Sequence, residues 1–95
     1  LQLEYAQKSI EYDNENAYYY FYKSKILKKL YLDDDAEENL LIAIQLNKKE
    51  CEFLKRLGDS YLDSDLDKTK FYYQRLFLLD NVKDSYYHDY GNILY

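Results

Sequence analysis

The chain predicts an all-α fold built as a stack of helix pairs, on three observations. Apolar residues recur three and four positions apart in six segments of twelve to fifteen residues. The joints between these segments are short, polar and acidic. The segments themselves repeat at a step of 34 and then 33 residues. With no Pro and only two Gly in 95 residues, little in the chain would interrupt a helix.

The first segment, 1–12, carries Ile10 and Tyr12 and ends at "DNEN" (13–16). The second, 17–31, opens on the cluster "AYYYFY" and holds Tyr20 and Ser24. The third, 34–46, follows "DDD" (33–35) and carries Ile44 and Leu46; "DDAE" (34–37) has the spacing of a capping box. The fourth, 51–63, comes after "NKKE" (47–50) and contains Leu54 and Gly58. The fifth, 66–79, follows "DSDLD" (63–67) and carries Phe77 and Leu79. The sixth, 84–95, follows "DNVKD" (80–84) and contains Tyr87 and Gly91. Asp and Asn at such joints accept hydrogen bonds from the exposed N–H groups of the next helix.

The repeat is read from columns. Tyr20, Leu54 and Tyr87 keep the step, as do Ser24, Gly58 and Gly91, and Asp13, Asn47 and Asp80. Ile10, Ile44 and Phe77 form a fourth column, and Tyr12, Leu46 and Leu79 a fifth. One deletion is shared by all, and it falls between Gly58 and Thr69. Ser24 with Ala36, and Gly58 with Thr69, are expected where paired helices approach most closely, because bulk there would push them apart. Each pair leaves an apolar face that a neighbour must cover.

These residues resemble the tetratricopeptide repeat family over essentially the whole chain. Leu54, Leu57, Gly58, Tyr61, Thr69, Tyr73, Leu76 and Phe77 occupy the family's places in one repeat. Tyr20, Ser24, Leu27, Ala36, Leu40, Ala43, Ile44 and Leu46 do so in the preceding one, and Tyr87, Tyr90, Gly91 and Leu94 open a third. Lys23 stands where leucine is usual, Thr69 and Leu76 replace small residues, and the family's proline after the second helix is missing. The resemblance implies a right-handed α-α superhelix of six helices, about two and a half pairs. Its parts would be an outer helix (1–16), two repeats (17–50 and 51–83) and an inner helix (84–95) of a single domain.

It further implies a concave groove lined by the first helix of each pair, where a partner peptide or protein binds. Helical spacing would place Tyr18, Phe21, Tyr22, Lys25 and Lys29 there from one helix, and Glu52, Lys55, Arg56, Asp59 and Asp63 from the next. Ser85, His88, Asp89 and Asn92 would follow from the last. Aromatic and cationic groups together suit a peptide with hydrophobic anchors and acidic residues. Lys55 and Arg56 are expected to be solvated, dispensable for folding and needed for binding. The chaperone-tail clamp of some family members is broken here, since Asp59 follows Lys55 and Glu52 precedes Arg56. The alternative is a structural spacer or oligomerisation segment of a longer array. Self-association through exposed terminal helices, Leu1 to Ile10 and Tyr90 to Leu94, is also expected.

Composition narrows the classes. A net charge of −5 argues against general attraction to nucleic acid or anionic membrane, and so against an RNA-binding reading of the tyrosine cluster. No apolar run approaches the roughly 20 residues of a membrane span, and no signal-like segment opens the chain, which points to the cytoplasm. The missing initiator Met suggests a piece of something longer. Cys51 and His88 are the only residues of their kinds, and no nucleophile–base spacing or glycine-rich phosphate loop accompanies them, so no enzyme and no cofactor are expected. "DSDLD" looks like the first half of a calcium loop, but Lys68 and Gln74 stand where that loop needs glycine and glutamate. It is expected to be a helix N-cap rather than a metal site.

Overall fold

Six helices form close to where the periodicity puts them: α1 (Gln2–Tyr12), α2 (Ala17–Lys29), α3 (Asp33–Leu46), α4 (Cys51–Ser60), α5 (Leu66–Leu76) and α6 (Asp84–Leu94). The structure, a computed structural model, describes residues 2–80 and 82–94, with side chains up to Gly91. No strand occurs among the described residues. The helices fall into two compact units, 1–48 and 49–95, which meet at the "NKKE" joint in the sequence.

In the first unit α2 packs against both α1 and α3. Its buried stripe is Ala17, Phe21, Ser24 and Leu27. Asn16 caps it, accepting from the Tyr18 N–H at 3.0 Å. α2 and α3 touch at the pair of small residues the repeat marks: Ser24 is buried and its Oγ donates to the Ala36 carbonyl at 2.7 Å. From α3, Ala36, Leu40, Ala43 and Ile44 are buried, and Asn39 turns its Nδ2 onto the Asp35 carbonyl. α1 buries Ala6 and Ile10. Leu1, with which the expected exposed end would begin, lies outside the described residues, as do the side chains beyond Gly91.

In the second unit α4 packs against α5, and the small pair again marks the crossing. Here the polarity is reversed: Thr69 Oγ1, on the second helix, donates to the Gly58 carbonyl at 2.8 Å. A Cβ on Gly58 would lie 3.1 and 3.2 Å from Cδ2 and Cε2 of Tyr73, so only glycine fits without displacement. α6 joins through rings. Phe77 stacks on Tyr87 with centroids 4.5 Å apart, and Tyr73 stacks on Tyr90 at 5.6 Å.

The columns carry into burial. Ala36 and Thr69, Leu40 and Tyr73, and Ala43 and Leu76 each stand 33 residues apart, and all six are buried. Ala6, 34 residues before Leu40, is buried as well.

Four boundaries differ from the sequence reading. α2 stops at Lys29 rather than 31, because Leu30 caps it and Tyr31 takes a left-handed φ of 61° that ends the helix. α4 stops at Ser60 rather than at 63, because the N–H groups of Tyr61, Leu62 and Ser64 turn to carbonyls three residues back and Ser60 Oγ takes up the Leu57 carbonyl. α5 stops at Leu76 rather than 79, with the same three-residue bonds at Leu78 and Leu79. α3 is not opened by a capping box at 34–37. Its N-cap is Leu32, which offers no side-chain bond, and Asp33, Asp34 and Asp35 lie inside the first turn, where their charge favours the positive end of the helix.

Candidate functional site

α2 carries a second stripe besides its buried one. Tyr22, Lys25, Ile26 and Lys29 follow helical spacing, and α1 presents Gln2, Tyr5, Ala6 and Ser9 at the same spacing. The two stripes line an open trough of about 400 Å³. Lys23 Nζ donates to Gln7 Oε1 at 2.7 Å and ties the two helices together beside it. Its floor is aliphatic, from Ala6 and Ile26, and its rims are aromatic and basic. Tyr5 is 70% exposed and Tyr22 53%, so their ring faces are open to a ligand. The Lys25 ammonium stands 4.3 Å from the Phe21 ring centroid and 5.7 Å from that of Tyr22. Lys29 makes no ion pair among the described residues.

Three of the residues expected in a groove, Tyr22, Lys25 and Lys29, are thus gathered in one concavity. Tyr18 is partly exposed on the same helix but does not line it. Phe21 is a correction. It is 2% exposed and belongs to the core, beneath Lys25, so no partner reaches it as a groove residue. Tyr5, Gln2 and Ser9 were missed, although the spacing of α1 repeats that of α2 and was the available signal.

The second unit holds the remaining expected residues, and Lys55 is the second correction. Its ammonium pairs with Asp59 at 2.8 Å and with Asp89 at 3.2 Å, and its side chain is only 20% exposed. It also stands 5.3 Å from the ring centroid of Tyr86. Asp59 accepts, in turn, from the Tyr73 hydroxyl. Burial works against the charge on Lys55, but the Asp59 hydrogen bond and charge, then Asp89, outweigh it and hold the ammonium above its ordinary range. Burial first, and Asp59 next, likewise push the Tyr73 phenol up. Lys55 therefore knits α4, α5 and α6 together and is a structural cation, not a solvated one. Arg56 and His88 are exposed on α4 and α6. The side chain of Asn92 lies outside the described residues.

"DSDLD" supplies a cap: Asp65 Oδ1 accepts from the Lys68 N–H at 3.2 Å at the start of α5. Among the described residues no three His, Cys, Asp or Glu side chains gather as a metal site would need. Burial, then the charge of Glu50, pushes the Cys51 thiol up, away from the thiolate a nucleophile requires. None of the helices, among the described residues, is long and apolar enough to cross a membrane.

In comparisons with known proteins, no family model matches the chain and no curated protein matches it.

Proposed function

We propose that the chain is a tetratricopeptide-like, right-handed α-α superhelix that acts as a non-enzymatic protein–protein interaction scaffold. The ligand of its α1–α2 trough would be a peptide with aromatic or aliphatic anchors and acidic residues. The observation that carries this reading is the pairing of open Tyr5 and Tyr22 rings with two cations, Lys25 and Lys29, over an aliphatic floor. Rings and floor suit apolar anchors, and the ammonium groups suit carboxylates between them. Support for the family reading comes from the 34- and 33-residue columns and the hydroxyl-to-carbonyl bonds at both small-residue pairs.

The test is fluorescence anisotropy with a labelled peptide of alternating aspartate and tyrosine or leucine. Binding should weaken with salt, and Lys25→Glu with Lys29→Glu should weaken it by about 1–3 kcal/mol while helicity is unchanged. A double variant that binds as well as the parent would place the ligand elsewhere. The second reading, a structural spacer within a longer array, draws on Lys55: this half-buried cation of the second unit is already neutralised by Asp59 and Asp89.

A further inference from the structure

Among the described residues one non-glycine residue has a positive φ: Tyr31, at 61°, in the turn between α2 and α3. The Leu32 N–H donates to the Leu27 carbonyl at 3.0 Å and the Tyr31 N–H to the Lys28 carbonyl at 3.1 Å. This is the helix stop in which glycine is the usual occupant, because a Cβ is disfavoured in that conformation. Tyr31 regains nothing by packing, since it is 89% exposed. Leu30 and Leu32 on either side are 52% and 45% exposed, so the turn presents an apolar, aromatic tip. Asp33, Asp34 and Asp35 follow it directly. Asp33 pairs with Lys28 at 3.2 Å, whereas Asp34 and Asp35 make no ion pair among the described residues. A bulky side chain at a disfavoured backbone position with no internal contact is a feature that an external contact would explain.

The chemistry of that contact is written on the same unit. The tip offers a phenol, leucines and unpaired carboxylates, while the trough offers Tyr5, Tyr22, Lys25 and Lys29. The open trough, about 400 Å³, has room for one aromatic side chain laid against its rings. The tip does not fill the trough of its own copy, as its exposure shows. We infer that the α2–α3 turn of one copy seats in the α1–α2 trough of a second copy, Tyr31 against the tyrosine rings and Asp34 and Asp35 toward Lys25 and Lys29. The inference rests on reading the trough as a binding surface. Tip and trough are different patches, so the contact is head-to-tail, each copy donating one and receiving the other.

Sedimentation equilibrium of the 95-residue protein tests it. The parent should self-associate in a salt-sensitive way. Tyr31→Gly, which suits the backbone and so keeps the fold, should weaken association about tenfold or more. Lys25→Glu with Lys29→Glu should do the same from the other side. An equimolar mixture of the two variants should recover association but stop at a dimer, joining the one intact tip to the one intact trough. A parent that stays monomeric to about 1 mM overturns the inference. In that event a labelled peptide of residues 30–37 decides what fails: if it binds and the trough variant does not take it, self-association alone is wrong. If neither it nor any acidic, aromatic peptide binds, the trough reading falls too. Association unchanged in both variants would also overturn the inference, because the contact would lie elsewhere.

Discussion

Adding one methyl group at each of the two glycines should move stability in opposite directions. Both lie inside helices, where alanine is intrinsically better than glycine by about 0.5–1 kcal/mol. At Gly91 a Cβ meets nothing within 4 Å among the described residues, so Gly91→Ala should gain most of that amount. At Gly58 the same Cβ would meet Tyr73 at 3.1 and 3.2 Å and the Thr69 carbonyl oxygen at 3.5 Å. The tyrosine cannot easily give way. It is fully buried, its hydroxyl is held by Asp59, and its ring lies against Tyr90 and Phe77. Overpacking of this kind costs about 1–3 kcal/mol, which exceeds the propensity gain. Gly58→Ala should therefore be destabilising by about 1 kcal/mol net, a fall of roughly 4–8 °C in Tm for a chain of this size. Thermal and urea unfolding followed by circular dichroism would measure both changes. If Gly58→Ala is as stable as the parent while Gly91→Ala behaves as expected, Tyr73 is not the rigid neighbour described here.

Tyr31→Gly should raise stability by about 0.5–1 kcal/mol, the relief of the left-handed backbone less the entropy of the freer unfolded chain, and urea midpoints will show it. Asp65→Ala should cost about 1 kcal/mol through loss of the cap on α5, whereas Asp65→Asn should be near neutral; added calcium should leave the Tm of parent and variants where it was. Lys55 and Tyr73 both hold their protons more tightly when folded than at their ordinary 10.5 and 10.0. The stability they contribute is therefore complete below those values and is lost as pH rises above them. Urea unfolding from about pH 8 to about pH 11 should show the decline, and Tyr73→Phe should make it shallower.

The sequence was most legible where one residue type had only one physical use. Small residues at fixed spacing located the two helix crossings, and the bonds from Ser24 to Ala36 and from Thr69 to Gly58 sit at those positions. It was least legible where a residue type serves several. Aspartates suit a cap and a first turn equally, so "DDDA" did not reveal that the cap of α3 falls on Leu32. The start of α2 is aromatic on every side, and nothing in "AYYYFY" says that Phe21 turns inward while Tyr22 stays out. Lys55 read as a groove cation because Asp59 alone, four residues on, looks like an ordinary surface pair. Asp89 and the Tyr73 hydroxyl, which complete its enclosure, come from other helices. The trough was half visible, since its α2 rim was named and its α1 rim was not.

The reversed bond at the two crossings also restricts how such units could be shuffled. In one pair the hydroxyl belongs to the first helix and the carbonyl to the second; in the other the roles are exchanged. A chimera that joined α2 to α5 would bring Ser24 and Thr69 to the same crossing, two hydroxyls competing for one narrow space. The reciprocal chimera, α4 with α3, would set Gly58 against Ala36, with no hydroxyl at all and room where a side chain should be. Pairs assembled in either cross-combination should fold less well than the parent pairs even though every apolar column is kept. The hydroxyl-to-carbonyl contact at each crossing thus favours the parent pairing, joined in the second pair by the Tyr73 hydroxyl on Asp59, a small handle for anyone recombining its repeats.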